Sequence, residues 1–335
     1  MTGRYRLERT TGTMGAPRRG DRSNGQIVAV FAGGLFVLFL IAGLVIDAGS
    51  AFFNRRDAQN TADIASMAGS KRLADIHLGR PGPTVYDVIA ASAATNGCNT
   101  ACTWAAHYVG ARRGPNFSPG DPVKPGGGAP GDALGVTVEV TRHPRTYFLG
   151  VIGQTSWTVQ TNATAVNGTA AWAPANAVLP IALWEPPPYQ TGRIYTLTSG
   201  SAAPGNFGWL SWSGSSLASS ICTPNNPLFR FPTTFTGDPG KTTSQAVRDC
   251  LRPWVGRVGL VPIVDAVVDD GEGVVRYHVA KVAAFTITGF AEPAVDQISG
   301  RFEGTLPYSA GAGLPGGVSS PPTLDDPFYY IGLAQ

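Results

Sequence analysis

The sequence predicts an α+β protein: an N-terminal transmembrane helix continuing into a long helix, then a mainly antiparallel, β-rich extracytoplasmic domain. Three observations carry that prediction. Residues 27–46 are an uncharged apolar run. The segment after it has small residues at helical spacing and no proline. Beyond residue 133, apolar and polar residues alternate in short stretches. Composition agrees, because glycine (43) and proline (27) fill a fifth of the 335 positions and only 14% are charged. A typical soluble protein has roughly 25% charged residues. These values exclude a coiled coil or helical bundle, and the absence of a Gly-X-Y period excludes collagen. A hydrophobic share of 43% excludes a charged disordered chain.

The basic head comes first. Residues 1–26 hold six arginines (Arg4, Arg6, Arg9, Arg18, Arg19, Arg22) against Glu8 and Asp21, a net of +4. The whole chain is +3, so residues 27–335 carry −1. A body so near neutral offers no electrostatic footprint for nucleic acid.

The run IVAVFAGGLFVLFLIAGLVI (27–46) follows, twenty residues without a charge. Twenty helical residues rise ~30 Å, the thickness of a bilayer's hydrocarbon core. Only Arg55 and Arg56 are basic within twenty residues after it, so the positive-inside bias puts the N-terminus in the cytoplasm and residues 47–335 outside. A cleaved signal peptide, with Ala48-Gly49-Ser50 as its cleavage site, fits less well. Its apolar region usually runs ~7–15 residues, and the basic prelude is long for such a signal. Gly25, Ala29 and Gly33 form a small-residue stripe of the kind that lets another helix approach.

Residues 47–75 lack proline, and Ala58, Ala62, Ala65 and Gly69 recur on one helical face that Leu73 extends. The membrane helix is therefore expected to continue with a narrow packing seam, laid against a sheet or a partner helix. After Pro81 and Pro83 a second helix is expected over 84–95, closed by Asn96-Gly97. The regions expected are a cytoplasmic tail (1–26), the span (27–46), a helical region (47–113), a Pro/Gly-rich linker (114–133) and a β-rich domain (134–335). In that last region Val136, Val138 and Val140 alternate with polar neighbours, as do Trp157 and Val159. Val275, Tyr277 and Val279 share a parity with Phe285 and Ile287, and Arg276, His278, Thr286 and Thr288 take the other. The stretch 306–328 reads as loop.

Four cysteines, Cys98, Cys102, Cys222 and Cys250, lie beyond the span. An even count in an oxidising compartment predicts two disulfides. Proximity favours Cys98–Cys102 with Cys222–Cys250, although three pairings are open. A zinc site on Cys98, Cys102 and His107 is the competing reading, weakened by the lack of a CxxC pair.

No catalytic, cofactor or metal constellation emerges, and no small-molecule substrate is implied. Gly240-Lys241-Thr242 has Phe235 where a phosphate loop needs glycine. The glycines 311, 313 and 316 match a dinucleotide fingerprint by letter but include Pro315. Asp47-Ala48-Gly49-Ser50 resembles the start of a metal-binding adhesion motif, yet sits at the membrane edge inside a continuing helix. Asp265, Asp269, Asp270 and Glu272 read as a plain acidic turn rather than a calcium loop. Of the histidines (His77, His107, His143, His278), His278 is expected solvated beside Arg276.

The order of these features, and the segment GLVIDAGSAFFNRRDAQNTADIASMAG with Gln59, Asn60, Ala62, Asp63 and Ala65, resembles the TadE/TadG-like Flp pilus-assembly family. Later pieces are similar to its longer members, among them VTVEVTRHPRTYFLGVIG, VLPIALW, PGNFGWLSW and YHVAKVAAFTITGF. The resemblance implies a non-enzymatic component of tight-adherence, type IVb-like pili in the bacterial cytoplasmic membrane. Its partners would be the lipid bilayer and other Tad/Flp components. Type IV prepilins are cut after a glycine, with glutamate fifth and phenylalanine sixth in the mature chain. Cutting after Gly25 would make Val30 fifth and Phe31 sixth, so the glutamate is missing and an uncleaved anchor is expected. The other reading is a membrane-tethered envelope enzyme or carbohydrate-binding module; Phe207, Trp209 and Trp212 would serve the module as exposed sugar-stacking rings, against the commoner outcome that aromatics beside strand-like segments pack in the core.

Overall fold

The computed structural model describes residues 23–99, 102–110, 120–184, 188–200, 206–212, 215–238, 243–269, 275–306, 320–323 and 328–334. The basic head through residue 22, the Lys241 and Gly311 motifs, and Asp270 and Glu272 lie outside the described residues. The chain divides into two units, Met1–Ala51 with Arg145–Trp157, and Phe52–Pro144 with Thr158–Gln335.

Helix α1 (Ser23–His77) is 55 residues long with no proline to interrupt it. In the first unit, its stretch up to Ala51 is accompanied by a lobe of residues 145–157. An antiparallel bridge between Arg145 and Ser156 closes the lobe, and a 3-10 turn, Leu149–Ile152, forms its tip. Trp157 belongs to this lobe and is 36% exposed. The alternation expected to carry it into a strand with Val159 starts only at Val159, which is buried.

The second unit is built in three layers. Helix α2 (Val85–Thr95) starts with a capping box: the Asp87 N–H donates to Thr84 Oγ1, and the Thr84 N–H donates to the Asp87 carboxylate. It ends at Asn96, and Gly97 follows with φ +81°, a left-handed conformation that favours glycine. Helix α2 and the later part of α1 cover one face of a four-stranded antiparallel sheet. Its strands are β1 (Cys102–Gly110), β2 (Ala133–Arg142), β3 (Val159–Gly168) and the distant β13 (Tyr330–Leu333), in the order β1-β2-β3-β13. Val136, Val138 and Val140 point under the helices and are fully buried.

Strand β1 lies inside the region expected to be helical (47–113), and it forms as a strand because β2, from beyond the expected linker, supplies its backbone partners as a direct neighbour. The described part of that linker runs beside β1, where the Val123 N–H donates to Ala106 O at 2.8 Å and Val123 is buried. Backbone donors and acceptors at the edge of β1 claim the segment despite its composition.

Between β3 and β13 lie β4 (Trp172–Ala173), β5 (Ile181–Trp184), β6 (Ile194–Ser199), β7 (Asn206–Leu210), α3 (Leu217–Cys222), β8 (Phe229–Arg230), β9 (Thr233–Asp238), α4 (Gln245–Leu251), β10 (Val258–Asp269), β11 (Val275–Phe290) and β12 (Gln297–Glu303). Six of these strands close on themselves in the order β5-β7-β6-β12-β11-β10 and back to β5. All contacts around this ring are antiparallel except β5–β10 and β6–β7. Closure leaves the ring without a free edge. Its interior holds Ile181, Leu183, Leu197, Phe207, Trp209, Val261, Ile263, Phe285, Ile298 and Phe302, all buried. Helices α3 and α4 add Ile221, Val247 and Leu251 to the same core.

Two register shifts in the β10–β11 ladder organise the middle of the unit, one at Asp265 of β10 and one in β11. Strand β11 pairs Lys281 with Ile263 and Val279 with Val264, leaving Ala280 as an extra residue, a β-bulge. A one-residue insertion exchanges the faces of everything beyond it. Val275, Tyr277 and Val279 therefore face the outer core shared with Leu134, Val166 and Tyr330, whereas Ala283, Phe285 and Ile287 face the ring interior. The shared parity expected for these residues holds, but they do not share a face. Thr286, expected on a polar face, is buried and donates to Glu303 Oε1 at 2.6 Å.

Candidate functional site

Two regions bear on function, one in each unit. In the first unit, α1 is long and apolar enough to cross a membrane. Its large side chains over 27–46 face outward: Val30 and Phe31, the positions tested against prepilin processing, are each 71% exposed. Gly33 and Gly34 have open space around them, and the small residue put to use is Gly43. A Cβ there would lie 2.5–2.7 Å from three side-chain atoms of Phe148, so only glycine admits the ring at this distance.

One turn further on, Asp47 is buried at 1% exposure. Its carboxylate accepts the backbone N–H groups of Tyr147 (2.8 Å), Phe148 (3.0 Å) and Leu149 (2.7 Å). The first amides of a helical turn have no partner within it. Asp47 supplies that partner from α1, so Gly43 and Asp47, four residues apart, form one seat for the lobe. This seat is absent from the sequence reading, in which Asp47 only opens a likeness to an adhesion motif at the membrane edge. Two signals point to it: an acid on an apolar helix with no basic side chain four residues away on either side, and a non-alternating apolar run, 147–152, inside otherwise alternating strands.

In the second unit, the segment that carries the family resemblance packs on its own unit. Ala58, Ala62 and Ala65 are fully buried among Val85, Ile89, Ala93 and the valines of β2. A Cβ at Gly69 would lie 2.8 Å from Ile89 Cγ1 and 3.0 Å from Val136 Cγ2. The seam therefore meets a sheet and a helix of the same unit, which leaves no free seam for a separate helix.

The polar residues of the segment hold this packing in register. Arg142 of β2 pairs with Asp57 and donates to Thr61 Oγ1 (3.1 Å) and Asn96 O (3.2 Å). Gln59 donates to Asp63 Oδ1 (2.8 Å) and to Asn162 O of β3 (3.1 Å). Asp57, Asn60, Thr61, Asp63, Ile64 and Asn96 line an open cleft of about 470 Å³.

The disulfides are Cys98–Cys102, between α2 and β1, and Cys222–Cys250, which ties α3 to α4. With both thiols of the first pair consumed, the proposed Cys98, Cys102 and His107 zinc site has lost its thiolates. Among the described residues, no three His, Cys, Asp or Glu side chains converge as metal ligands would.

The sugar-stacking trio is overturned by burial: Phe207, Trp209 and Trp212 are 1%, 2% and 2% exposed. Phe207 and Trp209 pack edge-to-face inside the ring, and Trp212 packs on Phe229 and Phe235. Asp265 lies within β10 rather than in a turn, and its carboxylate meets His278 Nδ1. Both side chains stay open to solvent, His278 at 37% and Asp265 at 56% exposure, so His278 keeps the solvated position expected for it and gains the carboxylate as a neighbour. His77 is half-buried, and burial lowers its pKa below the usual histidine value against a weaker raising contact to Pro130 O.

Comparison with known proteins gives one match. No curated protein and no solved structure matches the chain. Residues 25–75, which comprise the span, Gly43, Asp47 and the alanine seam, match the family model described as "Putative Flp pilus-assembly TadE/G-like".

Proposed function

We propose that this chain is a membrane-anchored, non-enzymatic component of Flp/Tad pilus assembly, a minor-pilin-like subunit or assembly factor. The observation that carries the reading is the coincidence of the family match at 25–75 with the apolar span and the polar, alanine-seamed segment after it. Residues 27–46 cross the bacterial cytoplasmic membrane once, and the arginine-rich head stays in the cytoplasm. Two disulfides suit a domain held in the oxidising space outside. With valine at position 30 in place of the prepilin glutamate, the anchor stays uncleaved after Gly25. The partners are the other Tad/Flp membrane components.

The test is affinity purification of the tagged full chain from detergent-solubilised membranes of cells that assemble Flp pili. Co-recovery of pilus-assembly membrane proteins, with an intact N-terminus by mass spectrometry, is the expected result. Recovery of none of them would overturn the assignment. A mature N-terminus at Gln26 would overturn the uncleaved anchor.

A further inference from the structure

We infer that the lobe of residues 145–157 is a second membrane contact, with its tip inserted among the phospholipids of the outer leaflet beside the helix. This rests on the reading of 27–46 as the membrane span. The lobe's tip is apolar and faces outward: Tyr147 is 70%, Phe148 44% and Val151 86% exposed. Isolated exposed apolar side chains are ordinary, but several gathered on one short turn mark a surface that is covered in use.

What covers it follows from its seat. Phe148 rests on Gly43, three residues inside the end of the apolar run. At ~1.5 Å per residue that is roughly 4.5 Å within the span. A ring held there shares the depth of the helix's last apolar turn, so the lipid that surrounds one surrounds the other.

Six backbone donors of the tip have internal partners, as a medium without water demands. The N–H groups of Tyr147, Phe148 and Leu149 go to Asp47. Those of Val151, Gly153 and Gln154 go to the carbonyls of Phe148, Gly150 and Leu149. The base of the lobe suits the headgroup zone. Trp157 is an amphipathic ring, and Arg145 is an exposed cation able to reach lipid phosphate.

The experiment uses the full chain reconstituted in vesicles of phosphatidylcholine and phosphatidylglycerol. All four native cysteines are in disulfides, so Val151→Cys and Leu40→Cys each introduce a single free thiol for an environment-sensitive fluorophore. The expected result is blue-shifted emission at both positions, quenched by lipids bearing nitroxides on their acyl chains. Quenching at 40 but not at 151 overturns the inference and leaves the span intact. A label at 151 shielded from both lipid nitroxide and aqueous iodide also overturns it, assigning the tip to a protein contact. Quenching at neither position overturns the membrane span and the inference together.

Discussion

Removing the two disulfides separately distinguishes what each contributes. Cys222–Cys250 closes a loop with a sequence separation of 28, and Cys98–Cys102 one with a separation of 4. In the chain-entropy account the first bridge contributes about 3.6 kcal/mol and the second about 2 kcal/mol, by restricting the unfolded chain. The difference, about 1.6 kcal/mol, is more than tenfold in the folding equilibrium. Geometry reinforces the ranking. Cys222 and Cys250 join α3 and α4, helices of six and seven residues, too short to persist alone, that cover one part of the ring's core. Trp254 donates to Ile221 O at 2.8 Å, next to Cys222, and so places a fluorescent reporter at the bridge. The comparison is urea unfolding of full chains in detergent micelles, Cys222→Ser/Cys250→Ser against Cys98→Ser/Cys102→Ser, followed by tryptophan fluorescence. If the short-loop pair costs as much as the long-loop pair, or more, loop closure is not what the bridges contribute and the reasoning fails.

Phe302 is fully buried, with Tyr189, Tyr195, Phe285 and Phe328 around it at ring-centroid distances of 5.1–5.5 Å. Phe302→Ala is therefore expected to lower stability by about 3–5 kcal/mol in the same urea assay, and a loss below 1 kcal/mol would mean the core collapses into the gap. His77 has a pKa lowered by burial, so between the unfolded value of 6.5 and its lower folded value the unfolded chain binds more protons. Its contribution is present above pH 6.5 and lost as pH falls through the folded pKa; denaturation midpoints should decline there, and His77→Gln should flatten the decline. Asp47→Ala removes the acceptor for three amides, so hydrogen exchange at Tyr147, Phe148 and Leu149 should accelerate while the amides of β2 keep their protection. Unchanged exchange at those three would show that Asp47 does not hold the lobe.

The span, α2 with its cap, the valine face of β2 and both disulfide pairings are legible in the sequence because each depends on neighbours along the chain. Asn96 and Gly97 directly follow the helix they close, and Cys98 and Cys102 are four residues apart. The ring is not legible in this way. Its closure depends on β10 meeting both β5 and β11, and parity gives no warning that Ala280 exchanges the two faces of β11. Core packing of Phe207, Trp209 and Trp212 is readable from the strand-like segments beside them, but not which strands bury them. The lobe on Asp47 joins residues a hundred positions apart, beyond the reach of any local pattern. Of the functional region, the alanine seam is local and legible, whereas what it packs against is not.

Strand β13 carries a consequence for the order in which the second unit can be completed. Tyr330 pairs with Gly168 of β3 and is fully buried, so residues 169–329 are a digression that leaves the four-stranded sheet and returns to it. During synthesis, β3 presents an unpaired flank until residues 330–333 arrive, and Tyr330 then fills the core it shares with Val275 and Tyr277. A chain released before that point would carry an open sheet flank and a gap at the junction of two cores. Strand β13 thus acts as a late seal: only a chain translated past residue 330 can close this flank of the sheet.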